Sequence, residues 1–160
     1  MQRVHSSLSW GGRAGPFEFD VMTIVLRDDP SVIAEREGLP RISIVTPSYN
    51  RAALIEETIR SVLSQNYPNL EYVVIDGGSQ DNTVDILRKY VTGIAFWASE
   101  PDEGQADAIN KGFRHTTGDI LAWINSDDQY ADGALQAVAR AFLQDPTIDV
   151  LYGACDLIDE

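Results

Sequence analysis

The nine residues Ile42-Ser43-Ile44-Val45-Thr46-Pro47-Ser48-Tyr49-Asn50 carry a short apolar run directly into a polar turn. The β-branched run Ile42–Thr46 reads as a strand stopped by Pro47. The same grammar recurs downstream. Glu71-Tyr72-Val73-Val74-Ile75 runs into Asp76-Gly77-Gly78-Ser79, and Ile120-Leu121-Ala122-Trp123-Ile124 into Asn125-Ser126-Asp127-Asp128. Further strands are expected at Ile94-Ala95-Phe96-Trp97 and Val150-Leu151-Tyr152, with Trp97 and Trp123 as core residues. Between the strands, residues 53–65, 83–90, 105–115 and 132–143 read as helices. The first places Leu54, Ile55, Ile59, Val62 and Leu63 at helical spacing, the second Val84, Ile86 and Leu87, the third Ala106, Ile109 and Phe113. Strand and helix alternating in this way predict an α/β fold, a Rossmann-like, mainly parallel sheet flanked by helices.

Residues 1–40 have a different texture and read as an N-terminal extension, with 41–160 as the domain proper. Within the extension, Val21–Leu26 is expected as an edge strand and Ser31–Glu37 as a short helix capped by Ser31. A chain of 160 residues has apolar content for one core. The formal charge of −13 argues against nucleic acid or an anionic membrane as partner, because phosphates meet a repulsive surface. An anionic ligand therefore needs a local source of positive potential: helix N-termini, clustered backbone N–H groups or a divalent cation. The one cysteine, Cys155, excludes an internal disulfide and reads as a small strand residue. No apolar run approaches the roughly 20 residues of a membrane span. The expected location is cytoplasmic, either free or peripheral at the inner face of the membrane.

In an open parallel sheet, ligands sit outside the carboxyl ends of the strands. Three polar turns fall at those ends. Asp76, followed by two glycines that permit close approach of a ligand, either accepts hydrogen bonds from a base or ribose or caps the next helix. Asp81 or Asn82 is expected to start that helix. Asp127 and Asp128 are adjacent carboxylates at the end of a buried strand, and they repel unless a positive group lies beside them. A divalent cation, Mg²⁺ or Mn²⁺, fits their oxygen donors, while a solvated turn and helix cap is the plainer alternative. Neither His5 nor His115 has a cysteine or histidine neighbour at zinc-ligand spacing. Tyr49 either stacks on a nucleobase or packs against the following helix. Lys111 and Arg114 either reach phosphate or form a solvated helical face.

Taken in order, these turns, with Asp107-Ala108-Ile109-Asn110-Lys111-Gly112 and Thr117-Gly118-Asp119-Ile120 between them, resemble the family 2 glycosyltransferases from Arg41 to about Asp156. The resemblance implies a GT-A fold, a nucleoside-diphosphate sugar donor (UDP-linked), a divalent metal (Mn²⁺ or Mg²⁺), inversion at the anomeric carbon and a glycan or lipid-linked acceptor. It places Thr46, Pro47 and Tyr49 around the base, Asp76 and Gly77 at the base or ribose, and Lys111, Asn125 and Ser126 along the donor. Asp127 matches the metal-binding aspartate, Asp128 is its supporting neighbour, and Asn125 stands where the family usually has the motif's first aspartate. The family's general base is expected beyond Glu160, so the fold is expected to be cut short before the acceptor-binding half. Two rival readings are a nucleotide-sugar-binding module without turnover and a nucleotidyltransferase. Against the latter, the loop Pro47–Arg51 has no glycine.

Overall fold

The computed structural model describes residues 38–145 and 147–153, together with the backbone of 23–26. His5, Cys155 and the expected helix at 31–37 lie outside the described residues. The strands are β1 (Thr23–Leu26), β2 (Ile42–Ser48), β3 (Leu70–Asp76), β4 (Phe96–Ser99), β5 (Ile120–Trp123) and β6 (Val150–Tyr152). The helices are α1 (Ile55–Leu63), α2 (Thr83–Lys89), α3 (Gln105–Phe113) and α4 (Ala134–Gln144). Among the described residues they form one sheet in the order β4-β3-β2-β5-β1-β6. The four strands β4, β3, β2 and β5 are parallel, which is the mainly parallel, helix-flanked architecture the sequence predicts. Among the described residues no helix is long and apolar enough to cross a membrane.

The chain steps outward from β2 to β3 and β4, then returns through α3 to place β5 on the other flank of β2. That reversal opens a crevice between the carboxyl ends of β2 and β5. β1 pairs antiparallel with both β5 and β6, Ile24 lying opposite Ala122 on one side and Leu151 on the other. The strand expected at an edge is thus an inner one. A run of apolar residues satisfies one neighbour or two equally well, so the sequence pattern does not distinguish the positions.

Alternation along the strands divides the core. Ile42, Ile44, Tyr72, Val74, Ile120 and Ala122 face α1, α2 and α4, while Val45, Val73 and Ile75 face α3. Trp97 and Trp123 are half-buried and pack on opposite faces. α3 meets the sheet through Ala108 and Gly112, with the expected Phe113 partly buried against the same cluster, while Ala106 is exposed and Ile109 only half-buried. Small residues bring the helix axis close: a Cβ on Gly112 would collide with the methyls of Val45. Pro47 lies inside β2 instead of ending it. Backbone groups of Val45, like those of every odd residue here, point toward β5, and the β2–β5 ladder ends at Val45 opposite Trp123. The N–H that Pro47 lacks therefore falls where there is no strand partner to receive it. β4 begins two residues later than expected, because Gly93 and Ile94 donate to Tyr90 O and prolong the turn after α2.

At the opposite end of the sheet, Glu71 is buried and accepts from Arg41 Nη2 at 2.9 Å, Ser43 Oγ, Thr117 N at 2.6 Å and Thr117 Oγ1 at 3.0 Å. Gly118 completes this joint, since a Cβ there would lie 2.8 Å from Ser43 N and 2.9 Å from Arg41 O. Burial pushes the Glu71 carboxyl up, but the hydrogen bonds from Ser43 and Thr117 and the Arg41 charge together hold it below the ordinary glutamate value of 4.5. A depressed folded-state pKa contributes stability that is fully present above the unfolded value and lost as pH falls through the folded one. Glu71→Gln should therefore cost about 2 kcal/mol in denaturant unfolding near neutral pH. The gap to the unsubstituted chain should be flat above pH 5.5 or so and narrow progressively below about 4.5. Gly118→Ala should cost roughly 1–3 kcal/mol, since backbone must move to admit the methyl. Gly112→Ala should cost less in the same denaturant-unfolding assay, because a gain of about 1 kcal/mol in helix propensity offsets the crowding.

Candidate functional site

The crevice between β2 and β5 is a cavity of about 490 Å³. One wall is Pro47, Ser48, Tyr49 and Arg51, the facing wall Asn125, Ser126, Asp127 and Asp128. A third side comes from the segment after β4: Asp102, Gly104, Gln105 and Ala108.

The β2 wall is shaped by its turn. Asn50 adopts a left-handed φ of 52°, which asparagine tolerates better than most residues. Its N–H donates to Ser79 Oγ at 2.7 Å and its Oδ1 accepts from Gln80 N at 2.9 Å. Ala52 N and Thr83 N each donate to Asp81 at 3.0 and 2.9 Å, and the hydrogen bonds from Thr83, Ala52 and the local backbone hold that carboxyl below the usual aspartate range. Of the two expected helix-starting residues, Asp81 makes the bonds, whereas Asn82 makes no side-chain cap bond. The β2 and β3 turns are thereby clamped together. Tyr49 is left 57% exposed, so its ring is open rather than packed into α1.

The acidic wall is held from behind. Gln65 Nε2 donates to Ala131 O at 2.9 Å, Tyr130 N donates to Ser61 Oγ at 3.1 Å, and Gln129 Nε2 donates to Glu57 Oε2 at 2.6 Å. These bonds dock the segment after Asp128 on α1. Asn125 Oδ1 accepts from Gln105 Nε2 at 2.5 Å, joining the acidic turn to the start of α3. Asp127 Oδ2 lies 3.8 Å from Arg51 Nη2 across the cavity.

Six of the residues singled out in the sequence come together here: Pro47, Tyr49, Asn125, Ser126, Asp127 and Asp128. The other four lie outside the lining. Thr46 is buried and shares a 3.0 Å hydrogen bond with Tyr72 Oη. Asp76 is fully buried, accepting from Ser79 N at 2.9 Å, Ser79 Oγ and Ser99 Oγ at 2.7 Å. Gly77 sits under Asp102, whose Oδ2 is 2.8 Å from where a Cβ would be. Lys111 reaches Asp107 at 3.1 Å, Pro101 O at 3.2 Å and Glu100 at 3.6 Å, and its hydrogen bond to Asp107 and the surrounding carboxylates raise its pKa. Arg51, Asp102 and Gln105 line the cavity without having been singled out. Asp102 and Gln105 follow a parallel strand just as the three chosen turns do, so the strand-end rule, applied also to β4, reaches them.

Among the described residues, the lining carries three carboxylates, Asp102, Asp127 and Asp128, against the single cation Arg51. Among the described residues no three His, Cys, Asp or Glu side chains converge closely enough to cage a metal unaided. The available donors are oxygens, which suit a hard cation such as Mg²⁺ or Mn²⁺ when ligand oxygens and water complete its shell. Ser48 Oγ is buried beside the cavity with no hydrogen-bond partner among the described residues.

The sequence model of glycosyl transferase family 2 matches residues 43–157, which contain every wall of this cavity. The chain belongs to that family. An uncharacterized glycosyltransferase of Mycobacterium tuberculosis is 41% identical over 102 residues, a match covering 62% of this chain and 39% of the relative. The Bacillus subtilis glycosyltransferase TuaG, named for teichuronic acid biosynthesis, is 37% identical over 61% of this chain and 40% of its own. Among solved structures, the mannosyltransferase PcManGT from Pyrobaculum calidifontis, in complex with GDP-Man and Mn²⁺, superposes with a TM-score of 0.62 at 29% identity over 74% of this chain and 39% of that one. Staphylococcus aureus TarS 1-349, in complex with UDP-GlcNAc, gives 0.58 at 25% identity over 62% of this chain and 30% of that one. The chain thus spans about two fifths of the length of the curated relatives named here.

The Tyr49-Asn50 pair divides its work: the ring is exposed and the asparagine builds the turn. Asn50→Ala should cost about 1–2 kcal/mol in thermal unfolding, from the left-handed φ and the lost bond to Gln80. Asn50→Gly should recover roughly half, since glycine removes only the backbone strain.

Proposed function

We propose that residues 41–160 form the donor-binding part of an inverting, metal-dependent glycosyltransferase that takes a nucleoside-diphosphate sugar, UDP-linked, and serves a glycan or lipid-linked acceptor. Residues 1–40 are an appended segment in this reading, contributing β1 to the sheet. The observation that carries it is the cavity at the β2/β5 crevice, with an exposed aromatic ring on one side and carboxylates facing a guanidinium on the other. The donor complexes of PcManGT and TarS support it.

The Tyr49 ring offers a stacking face for the nucleobase, and Pro47 supplies an apolar wall beside it. Asp76 acts indirectly, holding the Gly77–Ser79 turn that the ribose approaches. Ser126, on the acidic wall beside Asp127, lies along the diphosphate in this reading. Asp127 is the metal-holding carboxylate, and Asp128 supports it. When bound, the divalent cation neutralises the charge that grows on the departing diphosphate. The acceptor hydroxyl attacks the anomeric carbon on the face opposite the diphosphate. The bond from that carbon to the diphosphate oxygen breaks, configuration inverts, and the hydroxyl proton passes to a general base.

Charge decides why the metal is needed. Three carboxylates facing one guanidinium repel an anionic diphosphate, and a divalent cation brings that local count to neutrality. Calorimetric titration of UDP-sugars and GDP-sugars, with and without Mn²⁺, is the direct test. Binding should require the metal. Asp127→Asn should weaken metal-dependent binding by at least about tenfold while leaving the thermal midpoint of the free chain nearly unchanged. An unaltered nucleotide affinity in that variant would sink the assignment of Asp127.

A further inference from the structure

Among the described residues, Arg51 is the one cationic residue of the cavity lining, and its partner across the cavity is the carboxylate assigned to the metal. Both side chains are partly exposed, 48% for Arg51 and 42% for Asp127, and the 3.8 Å separation makes a loose ion pair rather than a locked one. The Arg51 backbone is fixed: its N–H donates to Thr83 Oγ1 at 3.0 Å and its carbonyl accepts from Leu54 N and Ile55 N at 3.0 and 2.9 Å. The guanidinium therefore swings from a rigid base. Lys111, by contrast, is held outside the lining by two carboxylates and a carbonyl.

Resting on the donor-site reading above, we propose that Arg51 is an exchangeable counter-ion. It pairs with Asp127 when no diphosphate is bound, and it transfers to a phosphate of the nucleoside diphosphate when one enters, releasing the carboxylate to the divalent cation. The two positive groups compete for one carboxylate, and the diphosphate resolves the competition by offering the guanidinium a better, two-pronged partner. Metal and nucleotide consequently bind with positive coupling through Arg51, and the coupling is the same whichever binds first. Arg51 is a positioning residue for the donor in this scheme and takes no part in bond making.

The test uses the full chain and its Arg51→Gln and Arg51→Lys variants, with Mn²⁺ binding followed by electron paramagnetic resonance of the free ion. UDP and GDP are titrated calorimetrically with and without Mn²⁺, and circular dichroism confirms each fold. Removing the competitor should tighten Mn²⁺ binding in the absence of nucleotide by about two- to fivefold, the range open to an exposed ion pair. It should weaken nucleotide binding. The factor by which Mn²⁺ improves nucleotide affinity should fall by about two- to fivefold in Arg51→Gln, the share carried by the exchange, with Arg51→Lys intermediate. Mn²⁺ affinity that is unchanged or weaker in Arg51→Gln overturns the proposal, as does an unchanged coupling factor. If neither nucleotide binds the unsubstituted chain with Mn²⁺, the donor-site reading itself fails. The metal-only comparison, which needs no nucleotide, then still decides whether Arg51 competes for Asp127.

Discussion

The fold depends on β2 being held between β3 and β5 in one fixed register, and the buried Glu71 carboxylate is the joint that fixes it. Through four hydrogen bonds it links its own strand, β3, to Arg41 and Ser43 at the head of β2 and to Thr117 just before β5. A slip of one residue in either ladder would turn every apolar side chain to the wrong face and strand a carboxylate in the interior. The joint lies at the end of the sheet away from the cavity. Stability and chemistry are thus partly separated along the strands: the polar groups around Glu71 at the amino ends are saturated by one another, whereas at the carboxyl ends some, like Asp76, are satisfied and others are not. Ser48 Oγ makes the contrast plain, since it lies at the far end of the same strand as Ser43 and has no partner among the described residues.

Two mechanical consequences follow at the cavity. The turns after β2 and β3 are clamped by Asn50 and Asp81, and the acidic turn is docked on α1 through Gln65, Ser61 and Glu57. The walls are therefore preorganised, and the freedom that remains belongs to long side chains, above all Arg51. A rigid frame with one mobile cation suits a ligand whose charge must be met on arrival, because little backbone order has to be created when it binds. The strongly acidic chain needs such a local device.

Much of this was legible in the sequence, and what was legible shares a cause. Strand and helix periodicity, the glycine and asparagine turns, and carboxylates placed just after apolar runs are local patterns, and each reports local backbone geometry. That suffices for the α/β architecture, for the parallel core of the sheet and for the expectation that Pro47, Tyr49 and residues 125–128 share an edge. It also suffices for family membership, since the motifs recur in a fixed order. The errors of detail were equally local in origin. Helical spacing favours Ala106, Ile109 and Phe113 on α3; Phe113 does pack against the sheet, but closeness of approach to Val45 puts Ala108 and Gly112 at the centre of the contact.

Tertiary structure alone decided the rest. β1 lies inside the sheet because it pairs antiparallel with both β5 and β6, strands that lie far downstream in the chain. Asp76 and Lys111 look like ligand-binding groups in the sequence, yet one is engaged by Ser79 and Ser99 and the other by Asp107, Glu100 and Pro101 O. Arg51, which carries no distinguishing pattern of its own, faces Asp127 from across the crevice. The sequence determines which residue types are available at each strand end, because that is set by neighbours along the chain. Which of them are satisfied and which are left to meet a ligand is set by neighbours in space, and those are fixed only when the strands pair.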